Sequence, residues 1–343
     1  MNIEIKESLN EFKQQKNIDR QTSASIIEST FRILIRKKYG DDSNFDFIIN
    51  ETSGDFEIWQ NKTIVLDGEV EDPNKEVSIT EAQQIEPDFE IGEDLSIVVP
   101  LTSFDRREIL NARNLIKTKV SDSQKEDIVE RYESLQGEII NGEVYLVRRN
   151  EIMILDDQGT EMVLAKEDMI QGDFFRKGER VSTLLQSVTM NKGVPKISLS
   201  RTDDLYLLRL LENEVPQIMD GLIEVVDVVR VPGVKAKVLV ESIDDRLDPV
   251  GIIVGAGGSR IRNINKELRG EQIDVVVFTK NKSLLIKRLF SGVDIDEIEI
   301  LEDVINLYVK KQDIGRVMGK FNSNLDLASE ILDKKIEVYS TDN

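Results

Sequence analysis

Apolar positions near the start of the chain recur at helical spacing. They run through Leu9 and Phe12, then Ile26, Ile27, Phe31, Leu34 and Ile35, and close at Lys37-Lys38-Tyr39-Gly40. Cations in a last turn followed by glycine are a helix stop. The period then shortens to strand-like runs at 45–49, 54–60, 63–66 and 76–79. A second helical pattern over 103–135 carries Ile109, Leu110, Leu115, Ile116, Ile128 and Val129. Its acids and bases alternate, so most of its surface is expected in solvent, and its length suits a connector. Residues 1–135 therefore read as one α/β unit.

From 137 to 201 the chain changes to short strands punctuated by glycine, at 137–144, 151–155, 161–164, 179–187 and 195–199. Five such strands suit an OB-type barrel, which can bind single-stranded nucleic acid on one face. Tyr145, Phe174 and Phe175 are candidate stacking groups, with Arg148, Arg149, Arg176, Lys177 and Arg180 as cations. The plainer alternative is that at least one phenylalanine fills the core.

Residues 203–279 begin with a helix through Leu205, Leu208 and Leu211, interrupted at Pro216. Strands at 223–231 and 235–240 follow, joined through Pro232-Gly233, then an apolar run, a glycine loop, a helix and a strand at 273–278. Residues 282–340 repeat this plan, which marks an internal duplication. Leu284, Leu285 and Leu289 give its helix, and 295–301 and 304–309 its strands. Ile314 to Met318 then lead into Gly319-Lys320-Phe321-Asn322, a helix with Leu325, Leu327, Ala328 and Ile331, and a last strand at 336–339.

The glycine loop of the first copy is the most informative stretch. In Asp248-Pro249-Val250-Gly251-Ile252-Ile253-Val254-Gly255-Ala256-Gly257-Gly258-Ser259-Arg260-Ile261, glycines let the backbone take positive φ where a helix opens. Ile261, Ile264 and Leu268 share one face of that helix, with Arg260, Arg262, Lys266 and Arg269 off it. A dinucleotide fingerprint would need glycine where Arg260 stands. Structural glycines in a plain turn are a second reading. The third is a KH loop, whose GXXG tetrad clamps the backbone of about four nucleotides. In the second copy Asn322 replaces the last glycine, and asparagine is the side chain that best tolerates left-handed φ. Phe321 either stacks on a base or packs into the core. Asp294, Asp296, Glu297, Glu299, Glu302 and Asp303 make the strands beside it acidic, which disfavours RNA there.

Composition narrows the chemistry. The 343 residues leave room for several domains and include no cysteine and no histidine, which excludes disulfides, thiolate or imidazole metal sites and His- or Cys-based catalysis. No apolar run approaches a membrane span and no signal segment opens the chain, so a cytoplasmic protein is expected. The net charge is −20, yet it is uneven. Residues 1–135 hold 17 Lys and Arg against 29 Asp and Glu, a balance of −12, whereas 255–270 hold four cations against Glu267 alone. RNA contact must be local, and the acidic first unit is expected to meet a basic protein surface.

Ordered motifs agree with one family. Ser53-Gly54-Asp55-Phe56, Ser103-Phe104-Asp105-Arg106, Gly137-Glu138-Ile139-Ile140, Phe175-Arg176-Lys177-Gly178-Glu179-Arg180-Val181 and Ser198-Leu199-Ser200-Arg201 resemble the bacterial NusA family of transcription factors. So do Glu214-Val215-Pro216, Asp248-Pro249-Val250-Gly251, Gly258-Ser259-Arg260 and Leu327-Ala328-Ser329. The resemblance implies an α+β multidomain protein: an α/β N-terminal domain that binds RNA polymerase (1–135), an S1-type OB barrel (136–201), and two tandem type II KH domains (202–280 and 281–343), the second with a degraded loop. It implies a monomeric, non-enzymatic elongation factor without cofactor or metal. Its partners would be core RNA polymerase, nascent single-stranded RNA and other antitermination factors, and it would modulate pausing, intrinsic termination and antitermination. Expected RNA-binding residues are Gly255, Ala256, Gly257, Gly258, Ser259, Arg260, Arg262 and Lys266, with Arg176, Lys177 and Arg180 on the barrel and Gly319 and Lys320 on the second loop. Some members carry acidic C-terminal repeats that mask the RNA surface. None follows Asn343, so that autoinhibition is not expected. The competing reading is an S1/KH protein of the translation or RNA-decay machinery, for which the N-terminal unit has no use.

Overall fold

The computed structural model describes residues 20–49, 56–244 and 246–341. The expected helix around Leu9 and Phe12, and the motif Ser53-Gly54-Asp55, lie outside them. The chain divides into two compact units, 1–128 and 129–343.

In the first unit, α1 (Arg20–Tyr39) ends in Arg36, Lys37 and Lys38 as its composition requires. Its apolar stripe of Ile27, Phe31, Leu34 and Ile35 packs on Phe45 and Ile58 of the sheet and on Phe104, Ile109 and Ala112. Ile109 and Ala112 belong to α3 (Arg106–Glu133). The sheet is built around β2 (Phe56–Val65), which pairs with β1 (Phe45–Ile49), β3 (Glu76–Ser78) and β4 (Asp94–Val98). Two separate strands at 54–60 and 63–66 were expected. One continuous strand forms, because the polar residues between them are paired: Asn61 lies opposite Ser96 and Thr63 opposite both Glu76 and Asp94. The helix α2 (Ile79–Ile85) was not foreseen, although its start is signalled locally by the Ser78 hydroxyl accepting from the Glu81 amide.

In the second unit, β5 (Ile139–Val147), β6 (Glu151–Leu155), β7 (Glu161–Ala165), β8 (Arg180–Asn191) and β9 (Val194–Ser200) close a barrel in the order β5-β6-β7-β9-β8. Val144, Ile152, Ile154, Met162, Leu164, Val181, Leu185, Ile197 and Leu199 alternate inward along its strands and are buried.

Two copies of one plan follow. The first contains α4 (Asp204–Glu214), α5 (Pro216–Met219), β10 (Ile223–Val231), β11 (Lys235–Ser242), α6 (Pro249–Val254), α7 (Ser259–Glu267) and β12 (Gln272–Val277). The second contains α8 (Lys282–Leu289), β13 (Ile295–Ile300), β14 (Val304–Val309), α9 (Ile314–Met318), α10 (Ser323–Leu332) and β15 (Lys335–Ser340). In each, the first two strands pair antiparallel and the third joins the middle one in parallel.

The copies stack through the first sheet. Ala236, Val238 and Val240 of β11 face their own helices with Tyr206, Leu207, Ile253 and Ile264. Period-two alternation sends Leu239 of β11 and Val276 of β12 to the opposite face, where they join Ile286, Phe290, Leu307 and Ala328 of the second copy. Lys237 shares that face and is fully buried, its Nζ 2.6 Å from the Leu289 carbonyl and 3.3 Å from Asp274.

Candidate nucleic-acid interface

The loop after α6 takes its shape from three left-handed or glycine-only conformations. Gly255 has φ 75° and ψ 171°, Gly257 has φ 56°, and Gly258 has φ 78°. No side chain caps the first turn of α7, which also holds no acid, so no carboxylate competes with an anion there, while the Gly258 and Ser259 amides donate to the Gly255 and Ala256 carbonyls. Ala256, Gly257, Ser259, Arg262 and Lys266 are exposed, and Gly258 is half-buried.

Arg260 is placed differently. Its guanidinium donates to the Ile252 carbonyl at 2.6 Å, and its stem crosses Gly255 so closely that a β-carbon there would meet Arg260 Cγ at 3.0 Å. It fastens the loop to the end of α6.

The second loop, degraded in sequence, keeps this backbone form. Gly319 has φ 72° and ψ −177°, Phe321 φ 57° and ψ 30°, and Asn322 φ 62° and ψ 7°. The fastening recurs as well. Asn324, five residues after Gly319 as Arg260 is after Gly255, donates through Nδ2 to the carbonyls of Arg316 and Val317 at 3.0 and 3.1 Å. Phe321 is 78% exposed, so it is not a core residue. The charge differs between the copies: α7 carries Arg260, Arg262 and Lys266, whereas α10 carries Asp326 and Glu330.

On the barrel, Arg176 and Lys177 are exposed, and the Arg176 guanidinium lies 5.7 Å from the ring of Phe174, which is 70% exposed. Phe175 is buried. It sits between the guanidiniums of Arg201 and Arg269, each 5.5 Å from its ring centroid. Tyr145 donates its hydroxyl to Glu161. Arg180 pairs with Asp157 at 2.8 Å, both side chains being largely exposed.

The tertiary structure brings two predicted patches into one cavity of about 360 Å³. Phe175, Arg180 and Arg201 line it from the barrel side, and Asn263, Lys266 and Arg269 from the first repeat. Its floor is a buried ionic network. Arg201 donates to Asp173 at 2.9 Å, to the Ser182 carbonyl at 2.6 Å, to Tyr206 at 2.9 Å, and to the side chain and carbonyl of Glu267 at 2.7 and 2.8 Å. Arg269 holds the other Asp173 oxygen at 2.8 Å. Burial pushes the Tyr206 hydroxyl above its ordinary titration range. Both acids at the floor are thus committed to arginines, and Lys266 and Arg180 line the opening.

The sequence matches the NusA N-terminal domain family over residues 4–126 and the NusA-like first KH domain family over 201–278. It is 29% identical over 344 residues to the transcription termination/antitermination protein NusA of Rickettsia conorii, covering 99% of this chain and 68% of the relative. The NusA of Thermus thermophilus is 26% identical over 347 residues, 96% of this chain and 88% of its own. The chain belongs to the NusA family. A solved N-terminal domain of NusA from B. subtilis is 24% identical over 36% of this chain and 98% of its own, with a TM-score of 0.27.

Within this NusA-family chain, Arg201, Asp173, Arg269 and Asn263 were not among the expected site residues. Arg269 was readable as one of four cations between 255 and 270. The ion pairs of Asp173 and Arg201 were not readable locally, since their charged partners lie 28 to 96 positions away. Among the described residues no group of three or more acids could hold a metal ion, and no helix is long and apolar enough to cross a membrane.

Proposed function

We infer that this protein is a transcription termination/antitermination factor that works by holding RNA beside the transcription machinery. Its NusA relatives carry that function in their names. The observation that carries the RNA side is the cavity where Arg180 of the barrel meets Lys266 and Arg269 of the first repeat. A single strand crossing the glycine loop at 255–258 and running along α7 reaches this cavity, so the S1-type barrel and the first KH domain bind one strand jointly. Ser259, Arg262, Lys266 and Arg180 contact phosphates. Arg176 and Lys177 extend the path on the barrel, and Gly319 and Lys320 add a contact on the second loop. Arg260 serves by holding the tetrad in shape. Residues 1–135, with their balance of −12, dock on core RNA polymerase. The protein is cytoplasmic and acts without catalysis.

Co-elution tests the division of labour. Residues 1–135 are expected to co-elute with core polymerase and to ignore RNA. The full chain is expected to bind both, with ribosomes left behind. Recovery of polymerase by residues 136–343 and not by 1–135 would refute it, and recovery of ribosomes would favour the translation reading.

A further inference from the structure

Phe321 is a bulky side chain held at φ 57°, in the left-handed region that residues with a β-carbon avoid. Burial does not explain it, because the ring is 78% exposed. The corresponding position of the first loop is Gly257, where a β-carbon would meet nothing within 4 Å, so this point of the loop projects into open solvent. A glycine would satisfy the backbone there, and the ring brings no packing to the fold. The Lys320 ammonium lies 5.2 Å from the ring centroid, covering one face and supplying a cation at the same place. The following helix holds Asp326 and Glu330 and no cation, so a polyanion cannot be tracked along it as along α7.

We propose that Phe321 is a base-stacking platform: one unpaired nucleobase of single-stranded RNA lies on its open face, and the neighbouring phosphate meets Lys320. The second repeat then grips about one nucleotide by its π surface, where the first grips several by their phosphates. A flat aromatic ring is indifferent to base identity, so this contact adds affinity with little sequence preference. A protein anchor would use the same exposed ring; the adjacent ammonium and a backbone identical in form to the first loop favour nucleic acid. This inference rests on the RNA-binding reading above.

Phe321→Gly and Phe321→Trp in the full chain provide the test, with a labelled, unstructured single-stranded RNA as probe. Phe321→Gly removes the ring and relieves the backbone, so thermal stability should hold or rise while RNA affinity falls about tenfold, within the range for losing one stacked base. Phe321→Trp should keep wild-type affinity and show fluorescence quenched by RNA beyond the background of Trp59, the only tryptophan of the chain. Wild-type affinity in Phe321→Gly, or added emission from Phe321→Trp that RNA leaves unchanged, overturns the stacking role. If Phe321→Gly keeps RNA but loses core polymerase, the ring is a protein anchor and the proposal also falls. A wild-type chain that binds no RNA would remove the broader reading together with this one, whereas RNA-binding wild type beside an equal Phe321→Gly removes this one alone.

Discussion

Arg201→Met should uncouple the barrel from the first repeat, and its cost follows from the contacts. The Arg201 side chain is 2% exposed and donates to five acceptors on four residues. Truncation frees Glu267, whose side chain is already 39% exposed and turns to water at little cost. Asp173 cannot do so. Its side chain has no exposed surface and would keep only the Arg269 guanidinium and the Ile170 amide. Breaking a buried pair from one side costs roughly 3–5 kcal/mol, because a charge is left partly uncompensated. For a unit of this size that lowers the melting temperature by about 6–20 °C. The assay is calorimetry of the full chain, since Trp59 lies in the first unit and does not report on the second. Asp173→Asn in the Arg201→Met background removes the stranded charge, so the double variant should lose at least about 1 kcal/mol less than the two single losses together. A loss below about 1 kcal/mol in Arg201→Met, or strictly additive losses, would refute the view that this network joins the two domains.

Gly319→Ala should cost roughly 2–5 kcal/mol, from left-handed φ and overpacking together, because its β-carbon would fall 2.7 Å from Asn324 Cβ and 3.0 Å from the Asn324 amide. Gly257→Ala meets only the backbone penalty, and equal losses in denaturant melts would contradict the assignment. Lys266→Ala and Arg180→Ala should each reduce the salt dependence of RNA affinity by about 0.7 in the log–log slope, as expected for a single-strand phosphate contact. Arg260→Ala should lower stability and leave the slope unchanged, so the opposite pattern in a salt titration would exchange their roles. Burial lowers the Lys237 ammonium from its ordinary 10.5 to about 8. The folded state therefore loses this proton first, and stability linked to Lys237 rises between about pH 8 and 10.5, by roughly 3 kcal/mol. The stability difference between wild type and Lys237→Met should rise with pH over that window; a flat difference would show that the ammonium is not desolvated.

What the sequence determined by itself was local. The helix stop at Lys37-Lys38-Tyr39-Gly40, the five barrel strands, the duplicated helix–strand plan and the glycine tetrad are each written in neighbouring residues, because periodicity and backbone permissiveness act over a few positions. Tertiary pairing decided the rest. The polar run Gln60 to Thr63 stays extended because β3 and β4 supply its partners. Lys237 is buried because a second domain covers the outer face of β11, which no pattern within β11 announces. Asn322 marks a left-handed position that the sequence allows, while Phe321 adopts one that its own propensity opposes, imposed by the Gly319–Asn324 closure around it. Arg260 and Lys266 look alike along α7, yet one fastens the loop to Ile252 and the other lines the cavity shared with the barrel. Side-chain roles of this kind depend on contacts tens of residues apart, whose geometry exists only once the domains have packed.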